Sequence, residues 1–190
     1  MPLIEVRQLS AHTRLGLWCI DETAEGSPRQ RERQAVQSLL YAMTDGTEQN
    51  IRHEASGKPF LEKGGYISIS HTRGYAALLL SDEDLLGVDI EYRSDRVERI
   101  ASRFIRTDET ALTTDEKLLI WSAKEAVYKL FSEDKLIFFD MQTLEISPRK
   151  DVDGQQTGLL RMKNLKRNIV VDVLYEFTAD YVLTYATLPA

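Results

Sequence analysis

At 190 residues with 43% hydrophobic side chains, the chain is long enough for one substantial core or two small halves. A net charge of −6 at pH 7 argues against general nucleic-acid binding, and a single cysteine, Cys19, excludes an internal disulfide and a multi-cysteine zinc site. The longest apolar runs, such as Ala76–Leu80, are too short to span a bilayer and no signal segment opens the chain, so a cytoplasmic protein with no membrane and no nucleic-acid partner is expected.

Leu3–Val6 and Leu15–Ile20 read as strands, and Asp21–Pro28 as a turn-rich connection. Ser27-Pro28 opens a helix to about Met43, with serine as N-cap and proline at the first helical position. Its residues Ala35, Val36, Leu39, Leu40 and Met43 keep the 3–4 spacing of a buried stripe. Arg29, Arg31 and Arg33 near its start oppose the helix dipole unless an anion sits nearby; the plainer reading is solvated arginines. Asp45-Gly46 ends the helix, and a short strand is expected near Ile51–His53. Ser56-Gly57-Lys58-Pro59 is a turn that aims Lys58 outward, by itself an ordinary solvated lysine.

Tyr66–Ser70, Tyr75–Leu80 and Leu86–Glu91 are three strand-like runs joined by short turns, which predicts a three-stranded meander. Its first and third strands run the same way, so their C-terminal ends share one sheet edge about 10 Å apart. Ser70 and His71 then stand on the same edge as Asp89 and Glu91. The two carboxylates, two residues apart, point to one face while Val88 and Ile90 point to the other. Like charges so placed repel and raise each other's pKa unless a cation is shared. The pair is either solvent-facing or part of a magnesium site.

A helix is expected from Ser94 or Asp95 to about Ile105, with Val97, Ile100, Ala101 and Phe104 as its apolar stripe. Arg96, Arg99, Arg103 and Arg106 would line a second face, as solvated arginines or as a docking strip for an acidic partner. Thr107-Asp108-Glu109 resembles the N-cap of a second helix, which ends near Phe131 before Ser132-Glu133-Asp134. On that helix Glu125 and Lys129 lie one turn apart, and Lys124 stands about 100° around from Glu125. This is an ordinary salt bridge of about 0.3–0.5 kcal/mol or part of a phosphate and metal site. Thr143–Ile146, Gly158–Met162, Asn168–Phe177 and Tyr181–Thr187 read as a second antiparallel meander, with turns at Asp151-Val152-Asp153-Gly154 and Ala179-Asp180. The fold class expected is α+β, with two similar halves, 1–85 and 86–190; a pseudo-twofold relation of two helix-covered antiparallel sheets is what the resemblance given below implies.

Four stretches line up in order: Gly57-Lys58-Pro59, Ile67-Ser68-Ile69-Ser70-His71, Gly87-Val88-Asp89-Ile90-Glu91 and Trp121-Ser122-Ala123-Lys124-Glu125-Ala126-Val127-Tyr128-Lys129. Together they resemble the 4′-phosphopantetheinyl transferases, in particular the surfactin-synthetase-activating type built of two fused halves. Each motif alone is weak and the ordered set is specific. Arg103-Phe104-Ile105-Arg106-Thr107-Asp108-Glu109 is similar, less tightly, to a family segment ending in glutamate, whose role here stays open.

The resemblance implies Mg²⁺-dependent transfer of phosphopantetheine from coenzyme A to a serine hydroxyl of an acidic apo acyl or peptidyl carrier protein, releasing adenosine 3′,5′-bisphosphate. By similarity Asp89, Glu91 and Glu125 hold Mg²⁺ against the pyrophosphate, Lys58 binds the 3′-phosphate, and Ser70 and His71 contact the phosphates. Lys124 is implied as a coenzyme A contact, Lys129 as the group neutralising or protonating the leaving phosphate, and Glu125 as acceptor of the serine proton. Two fused halves imply a monomer. Arg29, Arg31, Arg33 and Arg52 match nothing in the pattern. The alternatives are a coenzyme A- or carrier-binding protein without transfer activity and a Mg²⁺-dependent nucleotide phosphohydrolase.

Overall fold

The computed structural model describes residues 2–111, 113–152 and 155–190, with side chains at all of these except 149–152. In chain order the elements are β1 (Leu3–Gln8), β2 (Thr13–Cys19), α1 (Pro28–Met43), β3 (Ile51–His53), β4 (Pro59–Leu61), β5 (Tyr66–Thr72), β6 (Tyr75–Ser81) and β7 (Asp84–Tyr92). After β7 come a 3₁₀ segment (Asp95–Arg103), α2 (Thr114–Leu130), β8 (Met141–Val152), β9 (Gln155–Asn164), β10 (Ile169–Phe177) and β11 (Tyr181–Pro189). The turn expected at Asp151-Val152-Asp153-Gly154 has Asp153 and Gly154 outside the described residues.

Two antiparallel sheets, ordered β1-β2-β6-β5 and β7-β11-β10-β9-β8, make this an α+β fold; β3 and β4 form a separate hairpin. Alternation along β6 explains the layering. Ala76, Leu78 and Leu80 meet the α1 stripe of Ala35, Val36, Leu39, Leu40 and Met43. Ala77 and Leu79, on the other face, pack with Leu15 and Leu17 against Val88, Ile90 and Leu183 of the second sheet. α2 covers the opposite face of that second sheet with Leu119, Ala123 and Val127 over Leu160, Met162 and Val173. The helices are therefore the outer layers and the sheets the inner ones. Each fully buried Leu, Ile or Met contributes roughly 1.5–3 kcal/mol. Glu176 of β10, buried, accepts from both terminal nitrogens of Arg7 on β1 and from Gln155 Nε2 at 2.8 Å, which ties the sheets together.

The predicted meander is corrected. β6 is a central strand, paired with β2 on one edge and β5 on the other, so it has no edge left for a third partner. β7 instead joins the second sheet against β11, with Asp89 opposite Thr184. It still runs beside β5, and hydroxyls replace the usual backbone ladder there. Ser68 Oγ accepts from the Val88 amide (3.0 Å), Thr72 Oγ1 accepts from the Tyr92 amide (3.3 Å), and Ser70 Oγ donates to Asp89 Oδ1 (2.9 Å). Serine and threonine at every second position of β5 make this seam.

Two helical expectations also change. Residues 95–103 wind as a 3₁₀ helix, capped by Ser94 and burying only Val97, too little apolar surface to draw an arginine-rich stretch into an α-helix. At three residues per turn Arg96 and Arg99 eclipse and Arg103 steps off the line. Arg106 is withdrawn from the ridge altogether, donating to Asp108 Oδ1 (2.8 Å) and to the Phe139 carbonyl. α2 opens at Thr114 rather than near Thr107, because Thr113 and Glu116 form a capping box: Thr113 Oγ1 accepts from the Glu116 amide (3.1 Å) and Glu116 Oε2 from the Thr113 amide (2.8 Å).

Gly87 sets how closely α2 approaches β7. A Cβ placed there would stand 2.0 Å from the Ala126 carbonyl oxygen, a backbone atom that cannot swing away. Gly87→Ala is expected to lower the urea midpoint by an amount equivalent to at least the roughly 1–3 kcal/mol typical of overpacking, read by denaturation; an unchanged midpoint would show that the helix has room to move.

Candidate active site

Asp89 lies where three elements meet. Val88 and Ile90 are spent on the inner core, so Asp89 and Glu91 face α2. Asp89 is 4% exposed, and its Oδ1 accepts from Ser70 Oγ of β5 (2.9 Å) and from Lys129 Nζ of α2 (2.8 Å). Lys129 Nζ also donates to the Val88 carbonyl at 2.8 Å. Asp89 Oδ2 is buried without a hydrogen-bond partner among the described residues. Glu91 accepts from Trp121 Nε1 at 3.0 Å and, at the outer limit, from Thr72 Oγ1 at 3.5 Å. Trp121 is itself held edge-on against Phe104, ring centroids 5.2 Å apart.

Glu125 sits one turn from both Trp121 and Lys129. Burial pushes its carboxyl up to about 7, the nearby Asp89 and Glu91 charges push the same way, and Lys129 opposes them. Glu91 is raised by burial and then by Asp89, against the Trp121 hydrogen bond. Among the described residues no three of His, Cys, Asp or Glu converge as a ready-made metal cluster, yet these carboxylates are close enough to perturb one another. Carboxylates so placed repel and splay when no cation is shared, and Asp89 Oδ2 is left without a partner among the described residues. Oxygen donors of this kind suit a hard cation, so Asp89, Glu91 and Glu125 fit Mg²⁺.

A cleft of about 900 Å³ opens beside this group, between the β3–β4 turn and the C-terminal end of α2, and is lined by Lys58, Tyr66, Leu86, Tyr128 and Lys129. Lys129 belongs both to the cleft and to the carboxylate group. Lys58 Nζ lies 3.8 Å from Glu133 Oε1 across it. A second cleft of about 770 Å³, beside Tyr75 and Tyr92, contains none of the expected site residues.

The structure brings together Ser70, Asp89, Glu91, Glu125 and Lys129, and places Lys58 in the adjoining cleft. His71 is different: it follows Ser70 on a strand, so it faces α1, with Nδ1 3.6 Å from Glu32 Oε2. Lys124, expected as a coenzyme A contact, lies away from this group. Its side chain is 0% exposed, and its Nζ donates to Glu109 Oε2 and to the Phe104 carbonyl, both at 2.7 Å. The ammonium is enclosed on the reverse of α2 and is not among the residues that line the cleft. Glu109, whose role the sequence left open, also accepts from the amides of Arg106 (2.8 Å) and Thr143 (2.6 Å). It straps residues 104–109 and β8 onto α2. Sequence reasoning missed Thr72 and the Trp121–Glu91 bond; the β-branched alternation after Ser68 and Ser70 was the available signal for the first.

Residues 85–186, more than half of the chain, match the family model of the 4′-phosphopantetheinyl transferase superfamily. The match takes in Asp89, Glu91, Glu125 and Lys129, and stops short of Lys58, Ser70 and His71. No curated protein matches the chain.

Because the folded-state pKa of Glu125 is raised, its ionisation opposes folding: the penalty is absent at low pH and develops as pH rises from about 4.5 to about 7. Without divalent metal, Glu125→Gln should melt above the parent protein at pH 8, with the gap closing by pH 5; equal melting at pH 8 would remove the burial argument. For the enclosed pair, Glu109→Gln strands a buried ammonium and should cost roughly 3–5 kcal/mol in denaturant titration, whereas Glu109→Leu with Lys124→Met should cost far less. A small loss in the single variant would contradict a buried ion pair.

Proposed function

The chain belongs to the 4′-phosphopantetheinyl transferase superfamily, and from that we propose that it transfers the 4′-phosphopantetheine group of coenzyme A to a serine hydroxyl of an apo acyl or peptidyl carrier protein, releasing adenosine 3′,5′-bisphosphate. The observation that carries the reading is the Lys129–Asp89 contact at 2.8 Å. It sits inside the family-matched segment, joins the carboxylate group to the cleft, and leaves Asp89 Oδ2 without a partner.

In this proposal Asp89, Glu91 and Glu125 hold Mg²⁺, which neutralises and polarises the pyrophosphate when bound. Ser70 and Lys129 fix Asp89, and Trp121 with Thr72 fixes Glu91, so the carboxylates are oriented before substrate arrives. Lys129 lines the cleft and is placed to stabilise charge on the departing phosphate or to protonate it. A serine hydroxyl is a poor nucleophile, and Glu125 is the carboxylate assigned to take its proton. Lys58 in the cleft is assigned to the 3′-phosphate, and His71 is assigned to the phosphates on the family resemblance alone, its ring facing α1 in the free protein. Ser70 acts through Asp89.

The same reading extends to the architecture and the partner. We take residues 1–85 and 86–190 as fused halves in pseudo-twofold relation, of the surfactin-synthetase-activating type, supported by the helix-on-sheet layering of each sheet. It is a monomer acting in the cytoplasm. The exposed arginines Arg96, Arg99 and Arg103 supply the local positive charge that an acidic carrier needs on a protein of net charge −6.

The test is intact-mass analysis of an apo carrier incubated with the protein, Mg²⁺ and coenzyme A. One phosphopantetheine should be added, and Glu125→Gln or Lys129→Met should abolish the addition. Charge reversal at Arg96 and Arg99 should raise the KM for carrier and leave that for coenzyme A. No addition to several carrier types would sink the proposal, and coenzyme A breakdown without carrier would replace it with hydrolysis.

A further inference from the structure

We propose that Lys135 is a second cation, beside Lys58, for the isolated 3′-phosphate of coenzyme A, and that Glu133 stands in for that phosphate at Lys58 in the free protein. The proposal rests on the transferase reading and goes beyond it in assigning two residues of the chain that leaves α2. Three lysines, Lys58, Lys129 and Lys135, line the 900 Å³ cleft together with Glu54 and Glu133. Lys129 is committed at 2.8 Å to Asp89 and to the Val88 carbonyl. Among the described residues the ion-pair partner of Lys58 is Glu133, loosely, at 3.8 Å, and the Glu133 side chain is 83% exposed. Pairs so exposed contribute little, so a more highly charged anion displaces the carboxylate readily. Lys135 has no ion-pair partner among the described residues.

The presentation of Lys135 is fixed rather than incidental. It is a non-glycine residue in the left-handed region (φ 47°, ψ 50°), a conformation that persists only where the surroundings enforce it. The neighbouring chain supplies that constraint. Lys166 Nζ donates to the carbonyls of Asp134 (3.2 Å) and Lys135 (2.9 Å), while Arg167 Nε and Nη2 donate to the Asp134 carboxylate at 2.7 and 2.5 Å. Ser132, which also lines the cleft, has a buried Oγ without a hydrogen-bond partner among the described residues.

Coenzyme A carries its negative charge in two places. The pyrophosphate belongs with Lys129 and the carboxylate-bound cation. The ribose phosphate is a separate monoester, close to dianionic at neutral pH, and one lysine leaves it under-neutralised. Lys58 from the β3–β4 turn and Lys135 from the opposite wall supply the matching pair.

The test is calorimetric titration of the full chain with coenzyme A and with 3′-dephospho-coenzyme A. The parent should prefer coenzyme A. Lys135→Gln should weaken coenzyme A by about tenfold, the scale of one charged contact, and leave the dephospho form unchanged; Lys135→Arg should retain the preference. Glu133→Gln should tighten coenzyme A, more at low salt than at high. Equal weakening of both ligands by Lys135→Gln, weakening of neither, or a parent without preference would overturn the assignment while the transferase reading stands. A parent that binds neither ligand would overturn both.

Discussion

A buried aspartate joins the parts of this molecule on which the proposed chemistry depends. Asp89 Oδ1 takes hydrogen bonds from Ser70 of the first sheet and from Lys129 of α2, while Asp89 itself belongs to the second sheet. Burying a carboxylate is costly unless it is paired, so the fold supplies one ammonium and one hydroxyl from separate elements. Those bonds leave one oxygen unsatisfied and two further carboxylates nearby, an arrangement that favours a cation and raises Glu125 until one arrives.

Two of the ion pairs that α2 makes are opposite in character. On the cleft side Lys129 and Asp89 are partly open to solvent through the lysine. On the reverse, Lys124 and Glu109 are sealed, and every polar atom of the contact is satisfied by backbone or side-chain partners. The sealed pair limits rotation of the helix about its axis, and the Gly87–Ala126 approach limits its distance from β7. Together they hold Glu125 and Lys129 toward the seam. The strap of residues 104–109 also sets Phe104 against Trp121, whose indole orients Glu91.

Much of this was legible in the chain itself. Period-2 alternation put Asp89 and Glu91 on one face of β7 and Val88 and Ile90 on the other, and the 3.6-residue period placed Glu125 beside Lys129. Ser27-Pro28 marked the start of α1. Local pattern could not say which edge of β6 was free, because that depends on β2, a strand some sixty residues away in sequence. The predicted meander put Ser70 and Asp89 on one edge about 10 Å apart with a strand between them, whereas the structure joins them directly at 2.9 Å. The arginine ridge failed because it assumed α-helical winding for a segment with one buried residue.

The sequence alone determined the apolar faces, the acidic pair on β7 and the helical spacing of Glu125 and Lys129, since each follows from backbone periodicity within one element. Only the tertiary structure decided between the two lysines of α2. Lys124 and Lys129 have the same chemistry, and the difference lies in what packs over each: Glu109 and the Phe104 carbonyl enclose one, and Asp89 with an open cleft receives the other. Burial is set by distant segments, and residue type does not encode it. The same holds for Lys135, a surface lysine in sequence that the pinned chain after α2 turns into the cleft.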